Sequence, residues 1–210
     1  MESAKLAVDV QPLAVGGHPH LIRPLAAALL ALILMVPPYW KSESLVHELL
    51  DAGGYLLLVA CVGGRILSLV HISGRKSHRL ARCGPYSVVR NPLYLSNLFG
   101  AVGVGLSHAS LVVGVLLGGL LMIYYTTVVA REERYLLSVH GEAFGAYRAE
   151  VPRWLPRLRG WRHSAELTLH PRLLARGIAE SLIFLAVPLL LELLEAAHNA
   201  GLMQVSVRLP

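Results

Sequence analysis

The chain has few charged residues, few aromatic residues and only two cysteines. Charged residues make up 15% of its 210 positions and aromatic residues 7%, whereas soluble domains carry roughly 25% charged residues. This shortage of charge excludes an ordinary soluble domain and indicates an integral membrane protein. The cysteines, Cys61 and Cys83, lie in an apolar run and in a basic stretch, so a disulfide framework is excluded as well.

Other features are also missing from the sequence. No repeat of fixed period and no low-complexity tract interrupts it, which predicts a single membrane domain over residues 1–210. The first twenty residues lack the basic start and apolar core of a cleaved signal peptide. No two of His71, His108 and His140 share a helix at ligand spacing with a carboxylate, so no metal site is predicted.

The basic residues lie mainly in two clusters. Five of the 19 Lys and Arg fall within 75–90 and nine within 131–176. Because Lys- and Arg-rich flanks of membrane helices stay on the cytoplasmic side, both clusters are predicted to be cytoplasmic. Basic residues beside a bilayer attract anionic headgroups, so membrane lipids are expected partners. These charges adjoin apolar runs and match no nucleic-acid motif, so nucleic acid is not an expected partner.

Hydrophobic residues make up 55% of the chain, and its mean hydropathy is +0.56. The apolar runs predict an all-α integral membrane protein with about five membrane helices and a cytoplasmic cofactor pocket formed by loops and short helices. The last run is either a fifth span or an interfacial amphipathic helix. The acidic stretch 41–51 is predicted to be a loop on the non-cytoplasmic side. The predicted spans are 24–40, 52–72, 92–106, 111–130 and 173–197.

Several residues inside these spans have a predicted role. Arg65 interrupts the second span, and it is either a buried functional arginine or an arginine that snorkels to the interface. Asn91 is predicted to cap the third span, with Pro92 at the first helical position. Gly103, Gly114 and Gly118 are predicted to let helices approach closely.

The uncharged stretch 91–130 is long enough for two spans joined by a tight turn at 107–110. Such a hairpin brings the polar segment before it and the polar segment after it to one membrane face. The helix start at Asn91 attracts a carboxylate or phosphate, and Arg90 and His78 add positive charge or hydrogen-bond donors. Glu132 and Glu133 suit an ammonium group.

Three tyrosines in these segments, Tyr86, Tyr94 and Tyr147, supply flat faces with a polar tip. A ligand with a carboxylate, an amine and an aromatic ring matches this set of residues. S-adenosylmethionine has all three, and its sulfonium favours aromatic faces and carboxylates. Each residue alone also has an ordinary structural explanation, such as a helix cap, a salt-bridged helix turn or an interfacial anchor.

The order of these motifs resembles the isoprenylcysteine carboxyl methyltransferase family and the related phospholipid N-methyltransferases. The resemblance covers about 78–157, the predicted cofactor-binding core. Asn91 stands where the family usually has His, and Thr126 to Val129 stand where the eukaryotic enzymes have a substrate-contacting Arg. The motifs are Gly84-Pro85-Tyr86, Arg90-Asn91-Pro92-Leu93-Tyr94, Glu132-Glu133, His140-Gly141, Tyr147 and Val151-Pro152-Arg153.

The resemblance implies a cytosol-facing pocket for S-adenosylmethionine and transfers the family's cofactor contacts to this sequence. A thiol or amine acceptor would need deprotonation, for which Glu133 and His140 are the nearest candidates; Arg90 completes the predicted catalytic set. A carboxylate acceptor needs no base. The cofactor contacts transfer to His78, Leu80, Ala81, Tyr86, Asn91, Pro92, Leu93, Tyr94 and Glu132.

The sequence therefore predicts an S-adenosylmethionine-dependent methyltransferase that methylates a lipophilic small molecule or a lipidated substrate entering from the bilayer. The carboxylate of a prenylcysteine-like substrate is one such acceptor. The alternatives are a small-thiol or phospholipid-amine methyltransferase, and a non-catalytic scaffold or small transporter that retains the hairpin. The expected location is the bacterial inner membrane or an equivalent membrane, with the catalytic face cytoplasmic.

Overall fold

The computed structural model describes Trp40 and residues 44–72, 80–164, 167 and 169–200. The predicted span 24–40 lies outside these residues except for Trp40, and His78 lies outside them as well. The described residues contain no strand beyond a single bridge between Gly84 and Arg162, so the predicted all-α class is confirmed. The described part of the chain contains five α-helices: α1 (Leu45–Ile72), α2 (Pro92–Leu106), α3 (Leu111–His140), α4 (Glu142–Glu150) and α5 (Pro171–Asn199).

Helix α1 begins earlier than the sequence predicts. Residues 45–51 were assigned to an acidic loop, but they form the first two turns of the helix. The Ser44 hydroxyl caps this helix, because it accepts a hydrogen bond from the backbone N–H of His47 at 3.2 Å. Glu48 lies in the first turn, where a negative charge favours the helix dipole. The acidic residues thus stabilise a helix start, and the loop prediction is wrong for this part.

Helices α2 and α3 form the predicted hairpin. Helix α2 starts at Pro92 and ends at Leu106, and Ser110 caps α3 by accepting a hydrogen bond from Val113 N at 3.3 Å. The predicted glycine contacts are also confirmed: a Cβ on Gly118 would lie 2.6 Å from a methyl carbon of Val102. A side chain at position 118 would therefore push the two helices apart.

Helix α3 extends well beyond the predicted span 111–130. Its 30 residues correspond to a length of about 45 Å, whereas the hydrocarbon core of a bilayer is about 30 Å thick. The helix continues without a break past Arg131 to His140. The last part of α3 therefore carries Glu132 and Glu133 beyond the apolar stretch on the same continuous helix.

Two of the described helices, α1 and α3, are long and apolar enough to cross a membrane, and α2 is apolar but shorter. Only 28% and 22% of the apolar windows of α1 and α3 are buried inside the chain. Most of this apolar surface therefore faces outward, as in helices surrounded by lipid. The count of about five spans remains a prediction.

Helix α5 packs against α1. The Tyr55 hydroxyl donates a hydrogen bond to the Glu192 carboxylate, and Phe184 packs on the small buried cluster of Leu58, Val104 and Val113. Pro188 lies inside the helix, where it removes one backbone hydrogen bond.

Arg65 is buried at the junction of α1, α2 and α5, with 8% of its surface exposed. Its Nε donates to Ser181 Oγ at 2.9 Å, and its Nη1 donates to Asn97 Oδ1. The guanidinium also lies 5.5 Å from the centre of the Phe184 ring. Of the two alternatives for Arg65, the structure therefore favours the buried one over snorkelling.

Removing this guanidinium is expected to destabilise the protein. Arg65→Ala leaves Asn97 and Ser181 without their donor in a buried site, at a cost of about 1–3 kcal/mol for each unsatisfied group. We expect the melting temperature in one detergent to fall by several degrees. Leu67→Ala is the matched control, because Leu67 lies on the same helix and is 40% exposed. Equal melting temperatures for the two variants would contradict a stabilising role for Arg65.

Candidate functional site

The polar segment before the hairpin, which ends at Arg90, lies against the polar segment after it, which begins at Arg131. Arg90 N donates to Pro152 O at 2.8 Å, and Arg157 N donates to Val88 O at 2.9 Å. The Tyr147 hydroxyl donates to the backbone oxygen of Tyr86 at 2.7 Å. These contacts join residues that are more than sixty positions apart in sequence, and the hairpin brings them together as the sequence predicts.

A cavity of about 170 Å³ opens where the two segments meet. Eight of the predicted site residues line it: five predicted cofactor contacts and all three predicted catalytic residues. Tyr147, one of the three tyrosines predicted to supply a flat face, also lines it, and the sequence does not predict the other four lining residues. The lining consists of Ile72, Leu80, Ala81, Tyr86, Arg90, Asn91, Glu132, Glu133, Tyr135, Leu136, His140, Phe144 and Tyr147.

Three further predicted contacts, Pro92, Leu93 and Tyr94, are not among the described lining residues. Pro92 is the first residue of α2 and is buried. Tyr94 acts behind the cavity wall, because its hydroxyl donates to Glu132 Oε2 at 2.9 Å. This hydrogen bond fixes the carboxylate of a residue that does line the cavity.

Tyr94 also connects the site to the buried arginine of α1. Its ring packs on Tyr125 with 4.7 Å between the ring centres. The Tyr125 hydroxyl accepts a hydrogen bond from Asn97 Nδ2 at 2.8 Å, and Asn97 accepts from Arg65. The carboxylate of Glu132 is thus held in place by a continuous chain of contacts through the helix bundle.

The sequence predicts that Asn91 caps α2, but its side chain does not do so. It occupies the N-cap position without a side-chain cap hydrogen bond. Its Nδ2 instead donates to the backbone oxygen of Arg153 at 3.3 Å. The competing partner lies on the segment after α4, so tertiary contact overrides the local capping preference, and Asn91 ties the two segments together.

Glu133 is held between two arginines at the bottom of this junction. Its Oε1 lies 3.1 Å from Arg90 Nη1 and accepts from Arg153 Nε at 3.1 Å. Arg153 Nη2 donates to the other oxygen, Oε2. The Glu133 side chain is 6% exposed, that of Arg90 11% and that of Arg153 39%. We call these three residues the Glu133 clamp.

The Arg90 ion pair has a particular geometry. Nη1 is close to the carboxylate, but neither Nη1 nor Nε of Arg90 has a hydrogen-bond partner among the described groups. The N–H vectors therefore do not point at Glu133, and the pair is electrostatic. Burial lowers the pKa of Arg90, and the negative charge of Glu133 opposes this shift. The hydrogen bond to Glu133 raises the pKa of Arg153.

Two of the three phenols in the cavity wall, those of Tyr86 and Tyr147, are buried and neutral. Burial raises the pKa of Tyr86, and the nearby charge of Glu132 adds to the rise. Burial also raises the pKa of Tyr147, although the positive charges of Arg90 and Arg82 act to lower it. Both groups keep their protons at neutral pH, so the cavity offers phenol rings and donors beside a carboxylate and a guanidinium.

The sequence missed several residues of the site. The sequence shows Arg153 only as the last residue of the Val151-Pro152-Arg153 motif and does not predict its pairing with Glu133. That pairing depends on the path of the chain through α4. Phe144 was missed altogether; it forms a buried cluster with Tyr147 and Val151, and the spacing of three and four residues is the signal of one helix face. Among the described residues, no group of three or more His, Cys, Asp or Glu is placed to hold a metal ion.

Comparison with known proteins identifies relatives of the chain. The sequence model of the phospholipid methyltransferase family matches residues 63–143. The chain is 34% identical over 180 residues to the cobalt-zinc-cadmium resistance protein CzcN of Cupriavidus metallidurans, covering 86% of this chain and 82% of the relative. It is 33% identical to the nickel-cobalt-cadmium resistance protein NccN of Alcaligenes xylosoxydans xylosoxydans, over 81% of this chain and 79% of the relative.

A further relative is the protein-S-isoprenylcysteine O-methyltransferase of Schizosaccharomyces pombe, which is 32% identical over 50% of this chain and 45% of its own length. No solved structure matches the chain significantly. The match of the family model covers the hairpin and both glutamates, whereas Phe144 and Tyr147 of the lining and Arg153 of the clamp lie beyond it. The chain therefore belongs to the family of membrane methyltransferases that includes the phospholipid methyltransferases and the isoprenylcysteine carboxyl methyltransferases, together with CzcN and NccN.

Proposed function

We propose that this protein is an S-adenosylmethionine-dependent methyltransferase whose cofactor binds in the cavity between the two segments. The observation that carries the proposal is the position of Glu132, which lines the cavity while Tyr94 holds its carboxylate from behind. A carboxylate fixed in this way suits the ammonium group of an amino-acid ligand. Membership of a methyltransferase family supports the same choice of chemistry.

The other groups of the cavity fit the remaining parts of this cofactor. Arg90 and Asn91 line the wall and suit its carboxylate, by charge and by an amide donor. The ring of Tyr86 suits the sulfonium. Bound S-adenosylmethionine supplies an electrophilic methyl group. The protein's own task is to hold the acceptor close to that methyl group and in line with it, which is worth roughly 7–11 kcal/mol of the barrier.

The acceptor that we propose is lipophilic and reaches the cavity from the bilayer. A carboxylate, such as that of a prenylcysteine-like substrate, attacks without a base. A thiol or amine needs one, and His140 lines the cavity and is suitably placed. Both oxygens of Glu133 are occupied by the clamp, so His140 is the better candidate for a base. A panel of prenylcysteine, thiol and phospholipid acceptors with radiolabelled cofactor separates these classes.

The names of the two long relatives favour metal resistance as the biological setting of the reaction. This setting gives weight to the alternative of a small thiol acceptor. Thiolates are soft ligands for transition metals, and methylation converts a thiolate into a thioether without charge. Methyl incorporation into a thiol that rises when cobalt, zinc or cadmium is supplied would support this alternative over a prenylated acceptor.

We further propose that the cavity opens on the cytoplasmic side. The two basic clusters, at 75–90 and 131–176, overlap the segments that form it, and such flanks are retained in the cytoplasm. Cytosolic S-adenosylmethionine then has direct access, while the adjoining helices α1 and α2 lead to the lipid phase. The oligomeric state is left open.

S-adenosylhomocysteine, the product form of the cofactor, is expected to stabilise the purified protein. At a concentration of 100 times its Kd, a ligand stabilises the folded state by about 2.7 kcal/mol. For a chain of this size that raises the melting temperature by roughly 5–10 °C. Adenosine alone is the control, because it lacks the amino-acid part that Glu132 and Arg90 would bind. A protein that melts at the same temperature with and without S-adenosylhomocysteine would support the scaffold alternative.

A further inference from the structure

The loop over residues 155–163, here called the anchor loop, exposes large apolar side chains. Leu155 is 81% exposed, Leu158 77% and Trp161 38%. These residues do not belong to the cavity or to any of the five helices. Loops of soluble surfaces rarely present two almost fully exposed leucines and a tryptophan within seven residues, so a contact outside the chain is the natural explanation.

The same loop is strongly basic. Arg157, Arg159 and Arg162 are exposed, and the sequence of the anchor loop contains no Asp or Glu. One of the three, Arg162, pairs with Glu150 at 3.1 Å, and that pair is more than half exposed on both sides. Apolar and basic side chains therefore alternate along one short segment.

The anchor loop is fixed to the rest of the site. Arg157 N donates to Val88 O at 2.9 Å, and Gly84 N donates to Arg162 O at 2.7 Å. Arg162 N donates in turn to Ser87 Oγ at 2.9 Å. With its two ends held by hydrogen bonds, the loop presents its side chains in a defined direction and loses little entropy when it binds a partner.

Its position along the helices is also defined. The ring centre of Trp161 lies 6.5 Å from that of His71 in an edge-to-face arrangement, and His71 is in the last turn of α1. The segment just before the loop contacts Arg90, two residues before the start of α2. The anchor loop therefore lies at the level where two apolar helices end, which is the depth of lipid headgroups.

We propose that the anchor loop inserts into the headgroup region of the surrounding leaflet and binds anionic phospholipids. Tryptophan favours this depth, the leucines enter the boundary of the acyl chains, and arginines bind phosphate oxygens with two hydrogen bonds. Apolar and basic groups together fit a lipid surface better than a soluble acidic protein, which would leave the leucines in water. The loop would then form the lipid-side rim of the cavity.

Trp161 can report on this contact directly. The chain has three tryptophans, so Trp40→Phe/Trp154→Phe leaves Trp161 as the sole tryptophan in the full-length protein, and excitation at the red edge of the absorption band avoids emission from the tyrosines. The protein is reconstituted into vesicles of phosphatidylcholine brominated near the top of the acyl chain, with increasing fractions of phosphatidylglycerol. We expect strong quenching of Trp161 by these lipids, a blue shift of its emission, and an increase of both with phosphatidylglycerol.

Charge removal tests the lipid class. Arg157→Gln/Arg159→Gln in the same background is expected to raise the phosphatidylglycerol fraction needed for half-maximal quenching by several-fold, since each basic residue near an anionic surface contributes about fivefold in binding. Arg134→Gln/Arg148→Gln is the matched control, because these exposed arginines lie outside the anchor loop. It should respond to phosphatidylglycerol as the background does.

A reporter in the membrane separates failure of the proposal from failure of reconstitution. In a second variant all three native tryptophans are changed to Phe, and Leu116→Trp introduces a single tryptophan at a 52% exposed position of α3. If brominated lipids quench Trp at this position while Trp161 is quenched only by aqueous acrylamide, the anchor loop faces water and the proposal is wrong. Quenching of Trp161 that is independent of both phosphatidylglycerol and the two arginines would overturn the preference for anionic lipids.

Discussion

Replacement of Glu132 by alanine is expected to abolish cofactor binding that calorimetry can measure. Glu132 lines the cavity, and its carboxylate is the negative group proposed to bind the cofactor's ammonium. Loss of one partner of a buried charged hydrogen bond costs about 2–5 kcal/mol, and even the lower value corresponds to an affinity loss of about 30-fold. The measurement is titration of the purified, folded variant with S-adenosylhomocysteine.

Two further variants define what this result means. Tyr94→Phe removes the hydroxyl that holds Glu132 but leaves the carboxylate, so the affinity should fall by about tenfold or less. Glu142→Ala removes an exposed carboxylate at the start of α4 and should bind like the wild type. An unchanged affinity in folded Glu132→Ala would reject the assignment of the ammonium site, and with it the proposed orientation of the cofactor.

Much of the fold around this site is predictable from local sequence. The start of α2 follows from Asn91-Pro92, since proline is favoured in the first helical turn. The break between α2 and α3 follows from the short polar stretch at 107–110 between two apolar runs. Because these signals are local and strong, the bounds of α2 and the start of α3 agree with the structure. The proximity of the two polar segments then follows from the hairpin.

Other features depend on contacts that are remote in sequence. Residues 45–51 appeared to be a loop because they are acidic, whereas acidic residues also favour a helix N-terminus. The partner of the Asn91 side chain lies 62 positions away, and that of Arg65 lies 116 positions away. No periodicity predicts such pairs, since they depend on which helix faces pack together. For the same reason the sequence identified Glu133 as a possible base but not as the centre of a clamp.

The continuity of α3 explains how one short domain combines a lipid-facing part and a charged site. The residues up to about 130 form an apolar helix surface, and the same helix then presents Glu132 to the cavity and Glu133 to the clamp. Neighbouring positions on a helix point about 100° apart. Both glutamates line the cavity, but geometry gives their carboxylates different partners: that of Glu132 is held by Tyr94, and that of Glu133 holds Arg90 and Arg153.

Loss of the second carboxylate, that of Glu133, is expected to destabilise the protein strongly. Glu133→Ala leaves Arg90 buried without a counter-ion, and breaking a buried pair in this way costs about 3–5 kcal/mol. We expect the melting temperature to fall by roughly 10 °C. Arg90→Ala should have a similar effect, whereas Arg153→Ala should cost less, since the Arg153 side chain is 39% exposed and its charge can be hydrated.

A double-mutant cycle tests whether the loss arises from the pair. Arg90→Leu/Glu133→Leu removes both buried charges and is expected to be more stable than either single leucine variant, because no buried charge remains unpaired. Additive losses in the two single variants would contradict the clamp. The melting temperatures have to be compared in one detergent at one heating rate.

Glu133→Gln distinguishes the clamp from a role as general base. It retains the shape of the side chain but removes the charge that Arg90 and Arg153 share. If Glu133 acts as a clamp residue, the Glu133→Gln variant should lose stability and cofactor affinity together. The methylation of every class of acceptor should then be affected equally. If Glu133 acts as a general base, the variant should keep its stability and its cofactor affinity. Only the methylation of thiols or amines, which need deprotonation, should then be slowed, while carboxylate acceptors react normally. We expect the first pattern, because both Glu133 oxygens already have arginine partners.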